Sequence, residues 1–526
     1  MSTKSVAKAA GLIAVATILS RALGFLRESL LSGFFGKGFV MDAYNAAFNM
    51  PDLFYALFVA GAFASAFIPV MSGYFARGDY EEAWEVASSV INLALLILCS
   101  LTILGLVFAP AIINFYIPES SAETKQLATN LTRILLIQPM LLGLSGFAMG
   151  ILNALKIFGP SAWGSVVYSA GVIVFGLGLR PFLGTQPEQG VKAFALGVIL
   201  GALGNFLVQI PALKRVGFKY TLTLNLRHPG VKRIAALALP MMMAFTFNQI
   251  MVVINQNLNS SLSPGSIAAF MYAYKLQQLP IGIFAFSIGA AVFPTMTELI
   301  AKKDWAGFRA SFSAALRSII FITVPITVGV IVLAKPLIEV VYQHGHFTAH
   351  DTMDVISPLV FFALGIVPQS AIVFLPRAFY ALQETWTPVV LGIISLSINI
   401  VLMYLLVGPL QVGGLALAMS IKDIVNMLLL LYVLRRRMGP MDGKRIITSF
   451  LKVSVVSAAM GAVVYLVYLS THVIMPLGKI GSLMTLSVGT LVGILVFVLG
   501  AYVLRMPELQ FVANILKRKR VRNRAG

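Results

Sequence analysis

Ser20-Arg21-Ala22-Leu23-Gly24-Phe25-Leu26-Arg27-Glu28 places three formal charges inside an apolar run that extends from Ala9 to Leu31. At about 1.5 Å per residue such a run is long enough to cross a bilayer as one helix. A mid-helix arginine costs about 2.5–3.5 kcal/mol on insertion scales, and an acid a similar amount. The surrounding Leu, Ile, Val, Phe and Ala offset that cost, but anchoring alone does not call for the charges. Arg21 and Glu28 are one heptad apart and share a helix face, with Arg27 at its edge. A charged stripe of this kind is expected to face protein or a water-filled cavity rather than lipid.

The rest of the chain extends the same reading. Of 526 residues, 59% are hydrophobic and 11% charged, and the mean hydropathy is +0.90. Soluble domains carry about 25% charged residues, so the sequence predicts an all-α, polytopic membrane protein. The first apolar segment is too long for a signal-peptide core and no A-x-A site follows it. The single cysteine, Cys99, excludes an internal disulfide and a cysteine-based metal site. Fourteen candidate spans fall near 9–31, 42–73, 86–117, 128–153, 160–180, 191–213, 232–258, 266–298, 312–342, 353–380, 387–408, 411–434, 447–470 and 481–504.

The net charge of +20 is explained by where it lies. Lys4 and Lys8, the 214–233 loop, Lys302, Lys303, Arg309, Arg317, the 435–445 loop and the tail 517–524 all fall on one side of the alternation. Loops of opposite parity hold only Lys37, Lys125, Arg180, Lys192 and Lys479. The positive-inside rule then puts both termini in the cytoplasm. The basic tail reads as a topology signal near anionic lipid, not as a nucleic-acid site.

Two stretches repeat. Pro69-Val70-Met71-Ser72 with Ala76-Arg77-Gly78-Asp79-Tyr80 matches Pro294-Thr295-Met296-Thr297 with Ala301-Lys302-Lys303-Asp304-Trp305, at an offset of 225. Ala154-Leu155-Lys156 before Pro160 matches Ala381-Leu382-Gln383 before Pro388, at an offset of 227 to 228. Two matches in order argue for duplication of a six-span unit. Parallel six-span halves are a common transporter plan, with the substrate between them. The expected organisation is therefore 1–215 as a first lobe and 216–440 as a second. Spans thirteen and fourteen follow in 441–510, and a basic cytoplasmic tail in 511–526.

Polar groups cluster in the spans. Asp42, Asn45, Asn49 and Asp52 lie in the second, and Lys275, Gln277 and Gln278 in the eighth. Asn49 and Lys275 occupy equivalent places in the repeat. Asp42 and Asp52 can pair with Arg21 and Arg27 or remain available to a ligand. The amides Asn248, Gln249, Asn255, Gln256, Asn257 and Asn259 of the seventh span suit interhelical hydrogen bonds and ligand contacts equally. Lys422 and Asp423 read as snorkelling side chains near a cytoplasmic end. Arg21, Arg27 and Lys275 outnumber the acids available to them, and a surplus of cations suits an anion, arginine in particular suiting phosphate. His344, His346, His350 and Asp351 invite a metal reading, but Thr348 and Asp351 read better as a helix start. No metal, cofactor or catalytic set is expected, since no nucleotide-binding, nucleophile-elbow or zinc-protease motif is present.

Ser20 to Arg27, then Asp42-Ala43-Tyr44, Gly61-Ala62-Phe63 and Ala66-Phe67-Ile68-Pro69, resembles the start of the MurJ (MviN) lipid II flippases. Tyr274-Lys275-Leu276-Gln277-Gln278-Leu279-Pro280 with Phe293-Pro294, Phe347-Thr348 with Asp351-Thr352, and Ala378 to Thr385 with Thr387-Pro388 extend the resemblance nearly end to end. It implies the multidrug/oligosaccharidyl-lipid/polysaccharide exporter superfamily. The fold implied is two six-helix lobes in pseudo-two-fold arrangement plus two C-terminal helices forming a lipid-tail groove. The activity implied is transfer of lipid II from the cytoplasmic to the outer leaflet of a bacterial plasma membrane, by a monomer among membrane lipids, with cell-wall synthases as candidate partners. Substrate-binding residues carried over or read from the spans are Arg21, Arg27, Glu28, Asp42, Asn49, Lys275 and Gln278. Lysine at 275 replaces the more usual arginine. Tyr55 stands where many members carry a basic residue, and Tyr274 and Gln278 stand where some carry acids. A flippase for another polyprenyl-diphosphate glycan is the nearest alternative function. A drug/cation antiporter fits the cationic cavity less well, and a membrane enzyme acting on a polyprenyl carrier would require a convergent acid/base or metal set that the intramembrane positions do not offer.

Overall fold

The computed structural model describes residues 3–57, 66–184, 186–474 and 478–509. The motif residues Gly61, Ala62 and Phe63 and the basic tail lie outside them, as do the side chains of Lys4, Lys8 and Asn248. Among the described residues the chain is helical, with no strand. Among the described residues, nine helices are long and apolar enough to cross a membrane, or ten if a pair bent by 43° counts as one span. A fourteen-span count is consistent with these and with a break at Gln411 (φ 49°, ψ −131°) inside the 53-residue helix Trp386–Met438. That break follows Pro409 and separates the two spans read from sequence.

The chain divides into two compact units, Met1–Ala268 with Gly345–Phe347, and Ala269–His344 with Thr348–Gly526. The first holds α1 (Thr3–Phe35), α2 (Phe39–Ala47), α3 (Asn49–Tyr55), α4 (Ile68–Arg77), α5 (Tyr80–Tyr116), α6 (Ala122–Leu135), α7 (Gln138–Ala154), α8 (Gly159–Leu183), α9 (Pro187–Leu207), α10 (Ile210–Arg215) and α11 (Pro229–Ser260). Its helix α1 packs on α8, and α8 on α9. The closeness of α8 to α9 has a visible cause. A Cβ at Gly201 would lie 2.7 Å from the Tyr168 carbonyl oxygen, and one at Gly197 2.8 Å from that of Val172. Gly197 and Gly201 form a G-x-x-x-G pair, which lets membrane helices approach backbone to backbone. A separate core gathers Met71, Trp84, Phe147, Ile151 and Ile234 from α4, α5, α7 and α11.

The second unit holds most of α12 (Ser266–Pro280), a π-helical turn (Ile281–Ala285), α13 (Phe286–Ala301), α14 (Trp305–Val332), α15 (Ala334–Val341), α16 (Ala349–Leu364), α17 (Ile366–Ala381), α18 (Trp386–Met438), α19 (Gly443–Ile474) and α20 (Lys479–Val503). Phe308, Phe312, Phe374, Phe379, Met460 and Phe497 form its core. Helix α20 buries Gly481, Thr485, Gly489, Gly493, Phe497 and Ala501, one residue every fourth position, and leaves Leu491, Ile494, Leu495 and Val498 exposed. A helix apolar on both faces suits protein on one side and lipid on the other.

The duplication is visible in the backbone of each unit. At the first repeat, the N–H groups of Gly78, Asp79 and Tyr80 donate to Phe75, Tyr74 and Gly78, and those of Lys303, Asp304 and Trp305 to Ile300, Leu299 and Lys303. Gly78 and Lys303 both take positive φ, 82° and 56°. Lys156 and Gln383 at the second repeat do the same, with φ 63° and 62°. Two copies of one helix-ending turn thus survive divergence of the side chains around them.

Candidate functional site

The charges of α1 separate into two environments. Arg27 is half-buried, and its Nη2 donates to Glu28 Oε1 at 2.8 Å. Glu28 is buried, and Tyr44 of α2 and Tyr168 of α8 stand close to the guanidinium. The Nε of Arg27 is buried without a hydrogen-bond partner among the described residues. Tyr168 comes to this place through the packing of α1 on α8, and α8 is in turn seated on Gly201. Arg21, two turns earlier, is exposed. A guanidinium with one face satisfied by a carboxylate and another nitrogen left over retains capacity for an anion.

Asp42 does not pair with Arg21 or Arg27. Its Oδ2 accepts the Gly265 backbone N–H at 2.5 Å and its Oδ1 that of Ala268 at 2.8 Å. It is buried and caps the first turn of α12, where helix N–H groups otherwise lack partners. Asn49 is buried too. Its carbonyl accepts Gln249 Nε2 at 3.4 Å, and the same Nε2 donates to Tyr116 Oη at 3.1 Å. This amide of α11 therefore ties α3 and α5 together. Asn259 Nδ2 bonds within its own helix to Asn255.

In the second unit Lys275 is half-buried on α12, one turn before Gln278. Tyr274 is hydrogen-bonded to Gln278 and stacks on Phe270 with ring centroids 6.4 Å apart. Lys422 and Asp423 do not snorkel: Lys422 Nζ lies 2.6 Å from Asp423 Oδ1 and the acid is 4% exposed. One residue was not legible as functional. Arg377 of α17 is half-buried among apolar neighbours, its head lying against the bare Cα of Gly289 on α13, and its buried Nη1 has no hydrogen-bond partner among the described residues. An intramembrane cation with an unmet donor is a binding-site candidate. The signal was the position itself, an arginine within the span 353–380.

In the loop between α15 and α16, Thr348 and Asp351 form a reciprocal capping box that starts α16, as their spacing predicts. The structure also brings Asp354, absent from the sequence-level cluster, to 3.4 Å from His350. His350, Asp351 and Asp354 approach one another within 4.8 Å, but Asp351 already accepts the Thr348 N–H and hydroxyl.

These features can be set beside known proteins. The family model described as lipid II flippase MurJ matches residues 31–499. A protein of Burkholderia cenocepacia described as lipid II flippase MurJ is 29% identical over 428 residues, 80% of this chain and 82% of the relative. One of Buchnera aphidicola subsp. Schizaphis graminum, described as a probable lipid II flippase MurJ, is 28% identical over 427 residues, 81% of this chain and 82% of the relative. Among solved structures, lipid II flippase MurJ in an inward closed conformation aligns with a TM-score of 0.77 at 28% identity, covering 94% of this chain and 98% of that one. An inward-facing multidrug resistance MATE family transporter aligns at 0.66 and 18% identity over 81% of this chain and 96% of its own, a likeness of fold alone. With its helical fold and its intramembrane cations, the chain belongs to the lipid II flippase MurJ family.

Proposed function

We propose that this chain, a lipid II flippase of the plasma membrane, uses Arg27 and Lys275 as the anion-holding groups of its transport cycle, with Arg21 as an outer contact. The observation that carries the reading is Arg27 itself: a guanidinium kept in a membrane helix, oriented by Glu28 and Tyr168, with a buried nitrogen to spare. The diphosphate of lipid II presents the oxygen geometry that a guanidinium forks onto. Asp42, Asn49 and Gln278 support this set by fixing helix ends and neighbouring side chains. Residues 1–215 and 216–440 act as the two lobes of an alternating-access cycle, loading from the cytoplasmic leaflet and releasing to the outer one. The polyprenyl tail stays in lipid along 441–510, where α20 offers an exposed apolar face. Both termini are cytoplasmic, in accord with the distribution of Lys and Arg. The chain works as a monomer and passes its product to cell-wall synthases.

The test is leaflet-resolved measurement of lipid II in cells depleted of the protein and supplied with variants. Wild type restores outer-leaflet lipid II, whereas Arg27→Ala and Lys275→Ala leave it in the inner leaflet at normal protein levels. Full restoration by both variants overturns the reading. A change in lipid chemistry instead of leaflet points to an enzyme.

A further inference from the structure

Residues 218–225, between α10 and α11, run without helix along the first turns of α5 and end in a turn at 226–227 closed by the His228 N–H on the Asn225 carbonyl. Asn92 Nδ2 donates to the carbonyls of Thr221 at 3.0 Å and Thr223 at 2.8 Å. The Thr221 N–H donates to Ser88 Oγ and that of Asn225 to Ser89 Oγ, both at 3.2 Å. Asn225 Nδ2 reaches Glu85 Oε1 at 3.0 Å, and His228 Nε2 lies 3.3 Å from Glu82 Oε1. Phe218 closes the other end against Trp84, edge to face at 5.4 Å.

In an extended segment alternate residues point to opposite sides. The strap meets α5 mainly through its backbone, the carbonyls of Thr221 and Thr223 and the N–H groups of Thr221 and Asn225, and leaves Leu222, Leu224 and Leu226 90%, 47% and 48% exposed. The apolar side of a strand is usually buried, and here the leucines have no protein cover. The leucines are set among exposed Lys214, Arg215, Lys219, Arg227, Lys232 and Arg233, with no acid in the same stretch.

We infer that this strap is a membrane-interface anchor: Leu222, Leu224 and Leu226 enter the headgroup–acyl boundary of the leaflet on that side, and the flanking cations meet its anionic headgroups. Two observations choose the membrane over a soluble partner. The first is depth. Helix α5 has 37 residues, whereas about 20 cross the hydrocarbon, so its first turns, which carry the strap, lie at the interface. The second is charge, since the cytoplasmic leaflet is the anionic one and juxtamembrane cations are drawn to it. An apolar face edged with cations is the composition of an interfacial segment. The depth observation holds for either leaflet, whereas the charge observation and the name of the leaflet rest on the orientation proposed above. The strap also fixes the start of α11 to α5 through His228 and Glu82, so its anchoring would set the level at which α11 enters the membrane.

The full-length protein carrying Cys99→Ser is spin-labelled at one introduced cysteine at a time, Leu222→Cys through Leu226→Cys, in nanodiscs containing phosphatidylglycerol. Collision with oxygen should exceed collision with a water-soluble nickel chelate at 222, 224 and 226, and the oxygen-to-nickel ratio should be lower at 223 and 225, whose side chains alternate with the leucines. In discs of phosphatidylcholine alone, or with Lys219→Gln and Arg227→Gln, the oxygen-to-nickel ratio at 222 should fall at least twofold. Nickel collision exceeding oxygen collision at 222 overturns the proposal. A photo-crosslinker at 222 in intact cells should yield lipid adducts. A protein adduct in their place also overturns it.

Discussion

Asp42 and Ala268 are 226 positions apart, yet the carboxylate of one holds the backbone N–H of the other at 2.8 Å, with Gly265 N–H on the second oxygen. A buried carboxylate satisfied by two helix-start N–H groups is a structural fastener as well as a charge. Asp42→Ala should cost about 1–3 kcal/mol, the range for a buried donor left without an ionised acceptor. Asp42→Asn should fall between, since its amide keeps one acceptor but turns an NH2 toward an N–H. Thermal unfolding of the purified protein checks this. If Asp42→Ala melts with the wild type, the cap contributes nothing and the residue acts elsewhere.

Gly201→Val should be among the more damaging substitutions in the first unit. The atom in its way is the carbonyl oxygen of Tyr168, a backbone group that cannot swing aside. Overpacking of this kind costs about 1–3 kcal/mol. Displacement of Tyr168 would also disturb Arg27, so transport should fall further than stability predicts. Gly178→Ala is the control: nothing lies within 4 Å of the added Cβ. A comparable loss at Gly178 would show that helix α8 tolerates no side chain at all, and that close approach to α9 is not the cause.

Arg27 stood out in the sequence because a charge in an apolar run is costly wherever the run folds. The break at Gln411 was legible from Pro409, which cannot continue a helix's hydrogen bonding. The capping box at Thr348 was legible because its partners are three residues apart. Asp42 was not: its partners are set by tertiary packing, and an intramembrane acid looks the same in sequence whether it meets a ligand, an arginine or a helix end. Lys422 and Asp423 misled for the same reason, because snorkelling depends on depth and burial. The strap was not legible, because the amide of Asn92 and the hydroxyls of Ser88 and Ser89 on α5 hold its backbone through contacts set by tertiary packing.

Arg317 and Glu508 join α14 to the turn after α20, with Nη1 to Oε1 at 2.7 Å, and Ser449 Oγ donates to the same oxygen at 3.0 Å. Glu508 is 5% exposed. Removing one partner of a buried pair costs about 3–5 kcal/mol, because the other charge is left uncompensated. Glu508→Ala and Arg317→Ala should each destabilise, and the double variant by clearly less than their sum. Additive losses in thermal unfolding would show that the two side chains do not stabilise one another.

Among the described residues Arg377 has no hydrogen-bonding partner at Nη1 to lose, so Arg377→Ala should leave the melting temperature within about 1–2 °C of wild type, in keeping with a change under ~0.5 kcal/mol. If that nitrogen meets an anion during transport, flipping falls about tenfold or more in the same variant. Reconstituted flipping and thermal unfolding separate the two. Loss of stability with unchanged flipping assigns Arg377 to packing on Gly289 alone.

For Arg27 the opposing requirement is that Glu28 remain compensated. Arg27→Ala removes the guanidinium that pairs with the buried Glu28 carboxylate, so a loss of function can also come from lost stability. Arg27→Ala with Glu28→Gln removes both charges and should regain most of the lost thermal stability. Transport should stay at least tenfold down, since one charge-assisted contact is worth about 1.5–3 kcal/mol. Arg27→Lys should keep the pairing with Glu28 and recover only part of the activity, because an ammonium cannot fork onto phosphate. Recovery of full transport by the double variant would remove Arg27 from the anion site and leave Lys275 to carry it.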